Sequence, residues 1–264
     1  MKYFKTAFIT FILVFTSIQC SSADVGIIVA SNANLEVLTK KLEIKETSKK
    51  AARVFYSGNF QGKKVVLVRS PMGKVNNAIT AQVLLSSFNI TSVISIAPAG
   101  AAQEGLNIGD GVIATEVYQH DFGTVKPYGF VWGRVPNGTS WDEPGCNSAD
   151  KSLRKSALFY AGNIRSAPNK VVEGVVVSGD QFISSEQKKK WLSKKFKAAD
   201  VDRGAAAIAQ VCYASNAPFC ILRIITDKAG LNARTDFEKA IPSLQTGIDI
   251  IGFVKGILQG VPNK

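Results

Sequence analysis

The chain has 264 residues, 46% of them hydrophobic and 20% charged, with a formal net charge of +12. This length with only four cysteines excludes a small fold held together by disulfides. The basic excess suggests contact with a polyanion or a membrane surface, and a basic but merely solvated exterior is at least as consistent with it.

Residues 1–23 have the features of a secretory signal peptide. Lys2 and Lys5 give a basic start, residues 7–18 are apolar apart from Thr and Ser, and Ser21-Ser22-Ala23 offers small residues for cleavage. The apolar run is too short to span a bilayer comfortably. We expect an exported protein, secreted or periplasmic, with one domain over residues 24–264 and no transmembrane segment in it. An uncleaved anchor and a lipid-modified Cys20 are the alternatives.

Apolar runs alternate with helical patterns through the first half of the chain. Residues 25–30 predict a buried strand, and Leu35, Leu38 and Leu42 mark one face of a helix. Two further runs, 54–60 and 63–69, predict a hairpin that turns at Gln61-Gly62. The pattern then predicts a helix at 76–88, a strand at 92–97, a small-residue loop at 98–102 and a strand at 111–117.

The second half begins with a long region, 119–150, that is rich in Gly, Pro and aromatic residues. Loops of this length are often functional. The pattern beyond it predicts helices at 151–161, 188–197, 205–215 and 248–259, and strands at 171–178 and 219–226. Strands separated by helices indicate a single three-layer α/β domain, with a mixed, mostly parallel central sheet flanked by helices.

Ligands of such sheets bind at the carboxyl ends of the strands. Four strand ends carry informative residues: 30–34, 97–100, 178–183 and 223–227. Three cysteines lie beyond the signal segment, and neither these nor other side chains have the spacing of a metal site, so we expect no cofactor.

A collinear set of short motifs spans nearly the whole chain after the signal segment. They are Gly26-Ile27-Ile28, Met72-Gly73-Lys74-Val75, Ala99-Gly100, Ile108-Gly109-Asp110, Tyr118, His120-Asp121, Val177-Ser178-Gly179-Asp180, Phe182-Ile183, Ala207-Ile208-Ala209, Val211-Cys212, Arg223 and Asp227. In this order they resemble the nucleoside phosphorylase and nucleosidase family, and within it the 5′-methylthioadenosine/S-adenosylhomocysteine nucleosidases.

The resemblance implies chemistry on the bond between a purine and C1′ of ribose, through a transition state like an oxocarbenium ion. In the family an aspartate protonates the purine at N7, one glutamate activates a water, and a second glutamate grips the ribose hydroxyls. Asp227 matches the acid and Arg223 an arginine that braces it. The resemblance also implies substrate contacts from the adenine-reading pair Phe182 and Ile183, from the covering residue Phe237 and from Gly100.

Several positions depart from the family pattern. The water-activating glutamate falls on Asn34, which cannot take a proton from water. The family's Val-Glu-Met-Glu-Ala becomes a segment in which Asp202, Arg203 and Gly204 occupy the three central places, so the ribose-binding glutamate is missing. Pro98 replaces a serine that helps to position the attacking group. Arg203 would oppose a sugar cation and suits an anion instead.

Four interpretations remain open at this point. The chain is a purine-binding relative with weakened or lost cleavage, or an active nucleosidase in which Asp202 or Glu36 supplies the missing carboxylate. It is otherwise a phosphorylase that holds phosphate through Arg203, or an exported storage or polyanion-binding protein. We expect the first, with an adenine nucleoside as ligand and Asp202, Arg203 and Asn34 near it.

Two further partners are expected. The run Lys188-Lys189-Lys190, with Lys194, Lys195 and Lys197, is the best candidate for polyanion contact, although a solvated helix is the alternative. The family resemblance implies a homodimer in which the partner closes each active site.

Overall fold

The computed structural model describes residues 24–136, 148–163, 169–243 and 249–261. The expected signal peptide, Cys146 and Trp141 lie outside these ranges. The strands are β1 Asp24–Val29, β2 Glu43–Lys50, β3 Arg53–Phe60, β4 Lys63–Arg69, β5 Ile90–Ala101, β6 Gly111–Gln119, β7 Gly123–Lys126, β8 Gly129–Trp132, β9 Val171–Ser178, β10 Ala198–Asp202 and β11 Phe219–Asp227. The helices are α1 Asn32–Thr39, α2 Lys74–Ser87, α3 Lys151–Asn163, α4 Glu186–Phe196, α5 Ala205–Ala214, α6 Ala233–Ala240 and α7 Ile250–Gly260, with a 3-10 turn at Ile241–Ser243.

The central sheet is mixed, with the strand order β10-β9-β6-β11-β5-β1-β4-β3-β2. Its middle, β4-β1-β5-β11, is parallel, whereas β2-β3-β4 form an antiparallel edge. Strand β10 also pairs with β5, so that β5, β11, β6, β9 and β10 close into a ring. The ring brings the ends of β5, β10 and β11 together at one place.

Helices cover both faces of the sheet and give the three expected layers. On one face α1, α3 and α7 bury residues such as Leu38, Leu153 and Phe253 against the strands. On the other face α2 and α5 bury Leu84 and Ile208. Burial on both faces explains why the central strands are nearly continuous apolar runs. The predicted fold class is confirmed.

Several predicted elements are confirmed and others are wrong. The 54–60 and 63–69 hairpin corresponds to β3 and β4. The predicted loop at 98–102 is wrong, because β5 continues to Ala101 and pairs there with β10. Strands β2, β7, β8 and β10 and helix α6 were not predicted. Strand β2 is almost entirely exposed, so it lacks the apolar alternation that identifies a half-buried strand.

The two cysteines that the structure describes, Cys212 and Cys220, are core residues, as their apolar surroundings predicted. Burial raises the pKa of both thiols to about 12, so neither is a reactive thiolate. Among the described residues, the model contains no helix with the length and apolar character needed to cross a bilayer.

Candidate functional site

A cavity of about 400 Å³ opens where the carboxyl ends of β1, β4, β5, β10 and β11 meet. This volume lies in the range of about 300–1,000 Å³ that is typical for small-molecule sites. All four strand ends singled out from the sequence contribute to its wall. The lining consists of Ala30, Ser31, Asn32, Ala33, Arg69, Met72, Gly73, Asn77, Ala97, Pro98, Ala99, Gly100, Gln181, Phe182, Ile183, Val201, Asp202, Arg203, Gly204, Arg223, Thr226, Asp227, Phe237 and Ile241.

Asp227 ends β11 and is buried in the cavity wall. Its Oδ1 accepts a hydrogen bond from the backbone N–H of Ala229 at 2.8 Å, and the hydroxyl of Thr226 lies 3.2 Å from Oδ2. Burial raises the pKa of this carboxyl above its ordinary value, because the charged form is poorly solvated there. A carboxyl that retains its proton more readily is suited to donate it to a bound base.

Gly100 makes room for the Asp227 carboxylate. A Cβ atom at position 100 would lie 2.6 Å from Asp227 Oδ1. Any side chain there would therefore displace the carboxylate, so Gly100 serves the site through its lack of a side chain.

Asp202 and Arg223 form a buried ion pair, with 2.7 Å between Nε and Oδ2. Arg223 is only 1% exposed, and its Nη1 also donates to the backbone oxygens of Leu222 and Ser95 and to the Ser95 hydroxyl. The expectation that Arg223 braces Asp227 is wrong, because the described hydrogen bonds of its guanidinium go to Asp202 and these other groups. Arg223 instead fixes the base of the cavity through Asp202.

The Asp202 carboxylate is also tied to the start of α5. It accepts hydrogen bonds from the backbone N–H groups of Gly204 at 3.2 Å and Ala205 at 2.9 Å, and from the Ser178 hydroxyl. A carboxylate at the amino end of a helix satisfies free backbone donors and is favoured by the helix dipole. These contacts make Asp202 a structural anchor of the cavity wall.

Two aromatic rings form another part of the wall. Phe182 and Phe237 meet edge to face, with 5.8 Å between ring centroids. The guanidinium of Arg203 lies 5.4 Å from the centroid of the Phe182 ring. Ile183 is buried beside them. This apolar part of the cavity suits a flat ligand such as a purine ring.

Gly204 and Asn77 occupy the remaining corner. A Cβ atom at Gly204 would lie 2.5 Å from Cγ and Nδ2 of Asn77. The Asn77 amide donates to the backbone oxygens of Gly73 at 2.9 Å and Pro71 at 3.3 Å. The side chain of Asn77 thus fills the space into which a residue with a side chain at position 204 would begin to extend.

Asn34 does not belong to the cavity lining, contrary to the expectation that it contacts the ligand. It lies in the first turn of α1, where its N–H donates to the capping Ser31 hydroxyl. Its side chain is fully buried, and neither amide atom has a hydrogen-bond partner among the described residues. Ser31, Asn32 and Ala33 line the cavity in its stead. Glu36 is exposed, pairs with Lys40 and is also outside the lining.

Arg69, Met72 and Asn77 also line the cavity and were not predicted to do so from the sequence. Arg69 ends β4, which pairs in parallel with β1, so the rule of strand ends could have identified it. Asn77 was harder to identify from the sequence, because its only distinguishing feature is that a polar residue occupies a buried position of α2. No group of His, Cys, Asp and Glu that could hold a metal ion occurs within the described part of the chain.

The family model described as "Phosphorylase superfamily" matches residues 24–247. The chain belongs to the phosphorylase superfamily. Its resemblance to the nucleoside phosphorylases and nucleosidases is thereby confirmed, as is its similarity to 5′-methylthioadenosine/S-adenosylhomocysteine nucleosidases. The enzyme of that name from Anoxybacillus flavithermus is 35% identical over 217 residues, which are 82% of this chain and 90% of the relative. The one from Psychromonas ingrahamii is 36% identical over 219 residues, 83% and 91% of the two chains.

Solved structures of this superfamily share the fold. The nucleosidase from Neisseria meningitidis, solved with methylthio-immucillin-A, has a TM-score of 0.79 and 30% identity, covering 90% of this chain and 99% of its own. The nucleosidase from Colwellia psychrerythraea, solved with adenine, has a TM-score of 0.79 and 27% identity, with 90% and 96% covered. Futalosine hydrolase of Helicobacter pylori has a TM-score of 0.78 and 26% identity, with 90% and 98% covered.

Proposed function

We propose that this phosphorylase-superfamily protein binds adenine or an adenine nucleoside in the cavity, and that its cleavage of the glycosidic bond is weakened or lost. Asp227, Phe182, Ile183 and Phe237 form the purine side of the cavity. The relatives named for methylthioadenosine and S-adenosylhomocysteine, and the structure solved with adenine, support the choice of base.

One observation carries the proposal for weakened cleavage. Among the described lining residues, the carboxylates are those of Asp202 and Asp227. Asp227 is the proton donor, and Asp202 is held by Arg223, Ser178 and the start of α5. Neither is free to take a proton from water or to support a cationic sugar. General acid catalysis alone contributes about 10²–10⁴-fold, whereas enzymes typically accelerate reactions by at least about 10⁶-fold.

Arg203 weakens the case for cleavage further. Its guanidinium lies against Phe182 inside the cavity, and a fixed positive charge raises the energy of a developing sugar cation. The alternative in which Asp202 substitutes for a missing glutamate requires the loss of its ion pair and of its bonds to α5. The alternative with Glu36 has no support, because Glu36 is exposed and outside the lining.

Two measurements test the proposal. Calorimetry on the purified protein should give binding of adenine and methylthioadenosine, and Asp227→Ala should weaken binding of the base. An assay for adenine release should give turnover far below that of an ordinary enzyme. Turnover of about one per second, within the usual enzymatic range, would refute the proposed loss of cleavage. Lack of binding to any purine would refute the proposed adenine ligand. Loss of such turnover in Asp202→Asn would identify Asp202 as the substitute carboxylate.

We also propose a homodimer that covers the mouth of the cavity. Met72 lines the cavity yet is 56% exposed. On α2, which follows it, the apolar residues Val75 and Ile79 are 70% and 39% exposed. A second copy seated there would bury this patch and close the site. Light scattering should give a dimer for the wild type and a monomer with weaker ligand binding for Val75→Asp. A wild-type monomer at the highest soluble concentration would contradict it.

A second function, contact with a polyanion, is supported by a groove beside α4, which we call the lysine groove. It is lined by Lys189, Lys190, Lys194 and Lys197, with Glu104 and Glu186 among the other residues. Four lysines on one groove attract a flexible anionic chain at low ionic strength. Export, inferred from residues 1–23, would expose this groove to extracellular polyanions; sequencing of the mature amino terminus tests that step.

A further inference from the structure

Three charged side chains beside the cavity, those of Lys74, Asp121 and Asp180, form a cluster that we call the Lys74 network. They belong to three separate segments: the start of α2, the residues after β6 and the residues after β9. The Lys74 ammonium lies 2.6 Å from Asp121 Oδ1 and 3.9 Å from Asp180 Oδ2. The Lys74 and Asp121 side chains are only 18% and 15% exposed, so solvent and salt screen their attraction less than that of a surface pair.

Two backbone hydrogen bonds close the Lys74 network. The N–H of Lys74 donates to Asp180 Oδ1 at 2.8 Å, and the N–H of Asp180 donates to Asp121 Oδ2 at 2.9 Å. Gly73, the capping residue of α2, has no side chain to offer the helix, so Asp180 supplies the carboxylate that a helix start favours. Burial alone would raise the pKa of the Asp121 carboxyl, but the bonds from Lys74 and Asp180 lower that pKa below its ordinary value. Asp121 is therefore ionised at neutral pH, as the network requires.

The segment after β6 is the part of the network that the rest of the fold holds in place. The N–H of His120 donates to the backbone oxygen of Ser178 at 2.9 Å. The Gln119 side chain accepts a hydrogen bond from the Lys74 ammonium at 3.0 Å and donates to Gln210 of α5 at 2.9 Å. This segment is thus fixed to β9 and α5, and it provides the base to which the lysine attaches the start of α2.

The other two segments continue into walls of the cavity. Residues 72–73 directly precede Lys74, residues 181–183 directly follow Asp180, and both ranges line the cavity. The second range includes Phe182, which we placed on the purine side. The three charged side chains themselves lie outside the lining. The Lys74 network therefore ties two walls of the cavity to each other without taking part in either wall.

We propose that Lys74 is a positioning residue for the purine site: through Asp121 and Asp180 it holds the wall at 181–183 to the wall at 72–73. The inference rests on the proposed purine site and adds to it a residue that acts without touching the ligand. Loss of the ammonium leaves the two carboxylates close together without their cation, and this uncompensated charge favours separation of the segments. A ligand must then order the walls again, and the free energy of that ordering is subtracted from its affinity.

Adenine affinity, measured by calorimetry, tests this role. Lys74→Met removes the charge and keeps an apolar stem, and it should weaken adenine binding at least about five-fold, because hydrogen bonds to charged groups are lost. Lys74→Arg restores a cation and should recover most of the affinity. Arg154→Met is the matched control, since the Arg154 side chain is 19% exposed and pairs with Glu173 outside the cavity; it should bind adenine like the wild type. Unchanged affinity in Lys74→Met, an equal loss in Arg154→Met, or no recovery in Lys74→Arg overturns the inference and leaves the purine site standing.

Hydrogen exchange keeps the two proposals separate if no purine binds. Because the Asp180 amide donates to Asp121, peptides covering 179–183 should exchange faster in Lys74→Met than in the wild type, and at nearly the wild-type rate in Lys74→Arg, while peptides of β11 keep their rate. Asp121→Asn removes the same ion pair at almost constant size; it should give the same result, and it replaces Lys74→Met if that variant does not fold. Faster exchange confined to 179–183 and the start of α2 supports the role of Lys74 even where the purine site fails. Unchanged exchange at 179–183, or faster exchange throughout the chain, overturns it.

Discussion

Gly204 and Asn77 are so close that a Cβ atom on the glycine would lie 2.5 Å from the amide carbon of the asparagine. The backbone at Gly204, with φ of −162°, is extended and accepts other residues, so the restriction comes from Asn77 alone. The corner that would hold a ribose-binding carboxylate therefore lacks one for two reasons. Position 204 carries no side chain, and Asn77 occupies the space into which a side chain there would extend.

The contact predicts that substitutions at the two positions are coupled. Gly204→Ala should destabilise the fold by about 1–3 kcal/mol, the usual cost of overpacking. In an Asn77→Ala background the same change should cost much less, because the obstructing amide is gone. Denaturant unfolding of the wild type, both single variants and the double variant measures the coupling. Additive effects would mean that Asn77 moves aside freely.

The same contact constrains any attempt to restore catalysis. Gly204→Glu on its own should give a destabilised protein without adenine release, because the new side chain meets Asn77. The pair Gly204→Glu with Asn77→Ala is the sharper test, with Asn77→Ala as its control. Adenine release by the pair alone would indicate that the missing carboxylate is the main defect.

Asp227 predicts how purine binding depends on pH. Burial raises the pKa of its carboxyl, and a donor bond to the base requires the protonated form. Affinity for adenine should be highest below the raised pKa and fall by up to about ten-fold per pH unit above it, since one proton is involved. Asp227→Asn keeps a donor without titrating, so its affinity should vary much less with pH. Calorimetry between pH 5.5 and 8.5 compares them, and parallel profiles would exclude Asp227 as the donor.

The sequence predicted where the site lies better than how its residues interact. The strand ends at 97–100 and 223–227 converge on the cavity because the parallel strands β5 and β11 present their carboxyl ends on one edge. The end at 178–183 follows β9, which runs in the opposite direction, and it reaches the cavity because β10 pairs with both β9 and β5. The partner of Arg223 was not predictable in the same way. Residues 202 and 227 are both acidic and both line the cavity with Arg223, and the pairing of β10 with β5 brings Asp202 to the guanidinium.

Strands whose hydrophobic pattern is weak were not predicted from the sequence, for a related reason. Strand β10 has five residues and follows a basic helix, and β2 is a charged edge strand. Neither has the periodicity by which a strand is identified. Asn34 illustrates the limit at the residue level: its place in the strand-end segment 30–34 did not determine whether its side chain faces the cavity or the core.

The lysine groove predicts heparin binding through only some of the lysines that the sequence singled out. Lys188 lies 3.9 Å from the centroid of the Trp191 ring, and the Lys189 side chain is only 17% exposed and lies 3.9 Å from Glu186. Reversing those two would disturb packing as well as charge. Lys190, Lys194 and Lys197 are exposed and line the groove.

Charge reversal of these three exposed lysines to Glu should lower the salt concentration at which the protein elutes from heparin. The matched control reverses three exposed lysines elsewhere: Lys41, Lys45 and Lys49. Both variants change the net charge equally, so a larger shift for the groove variant reports a local site, whereas equal shifts would report only the overall basic charge.

The buried Asp200 carboxyl is expected to reduce the stability of the fold increasingly as the pH rises. It is fully buried in β10, and neither carboxylate oxygen has a hydrogen-bond partner among the described residues. Burial raises its pKa well above the ordinary value, the neighbouring charge of Asp202 raises it further, and Arg223 opposes both. The folded state thus binds a proton that the unfolded state has released, between the ordinary pKa of about 3.9 and the raised one. The contribution of the protonated Asp200 to folding stability is fully present below that window and is lost as the pH rises through the pKa of the folded state.

Asp200→Asn removes this titration while keeping the size of the side chain. The variant should therefore melt above the wild type at pH 8, with a difference that shrinks toward pH 4, because there the wild-type carboxyl is neutral too. Each kcal/mol shifts the melting temperature by about 2–4 °C in a domain of this size. Glu43→Gln, a neutralisation on the exposed edge strand β2, controls for the change in net charge. If the difference in melting temperature between Asp200→Asn and wild type is constant from pH 4 to 8, the Asp200 carboxylate is compensated by a partner in the folded state. Its ionisation then does not destabilise the fold.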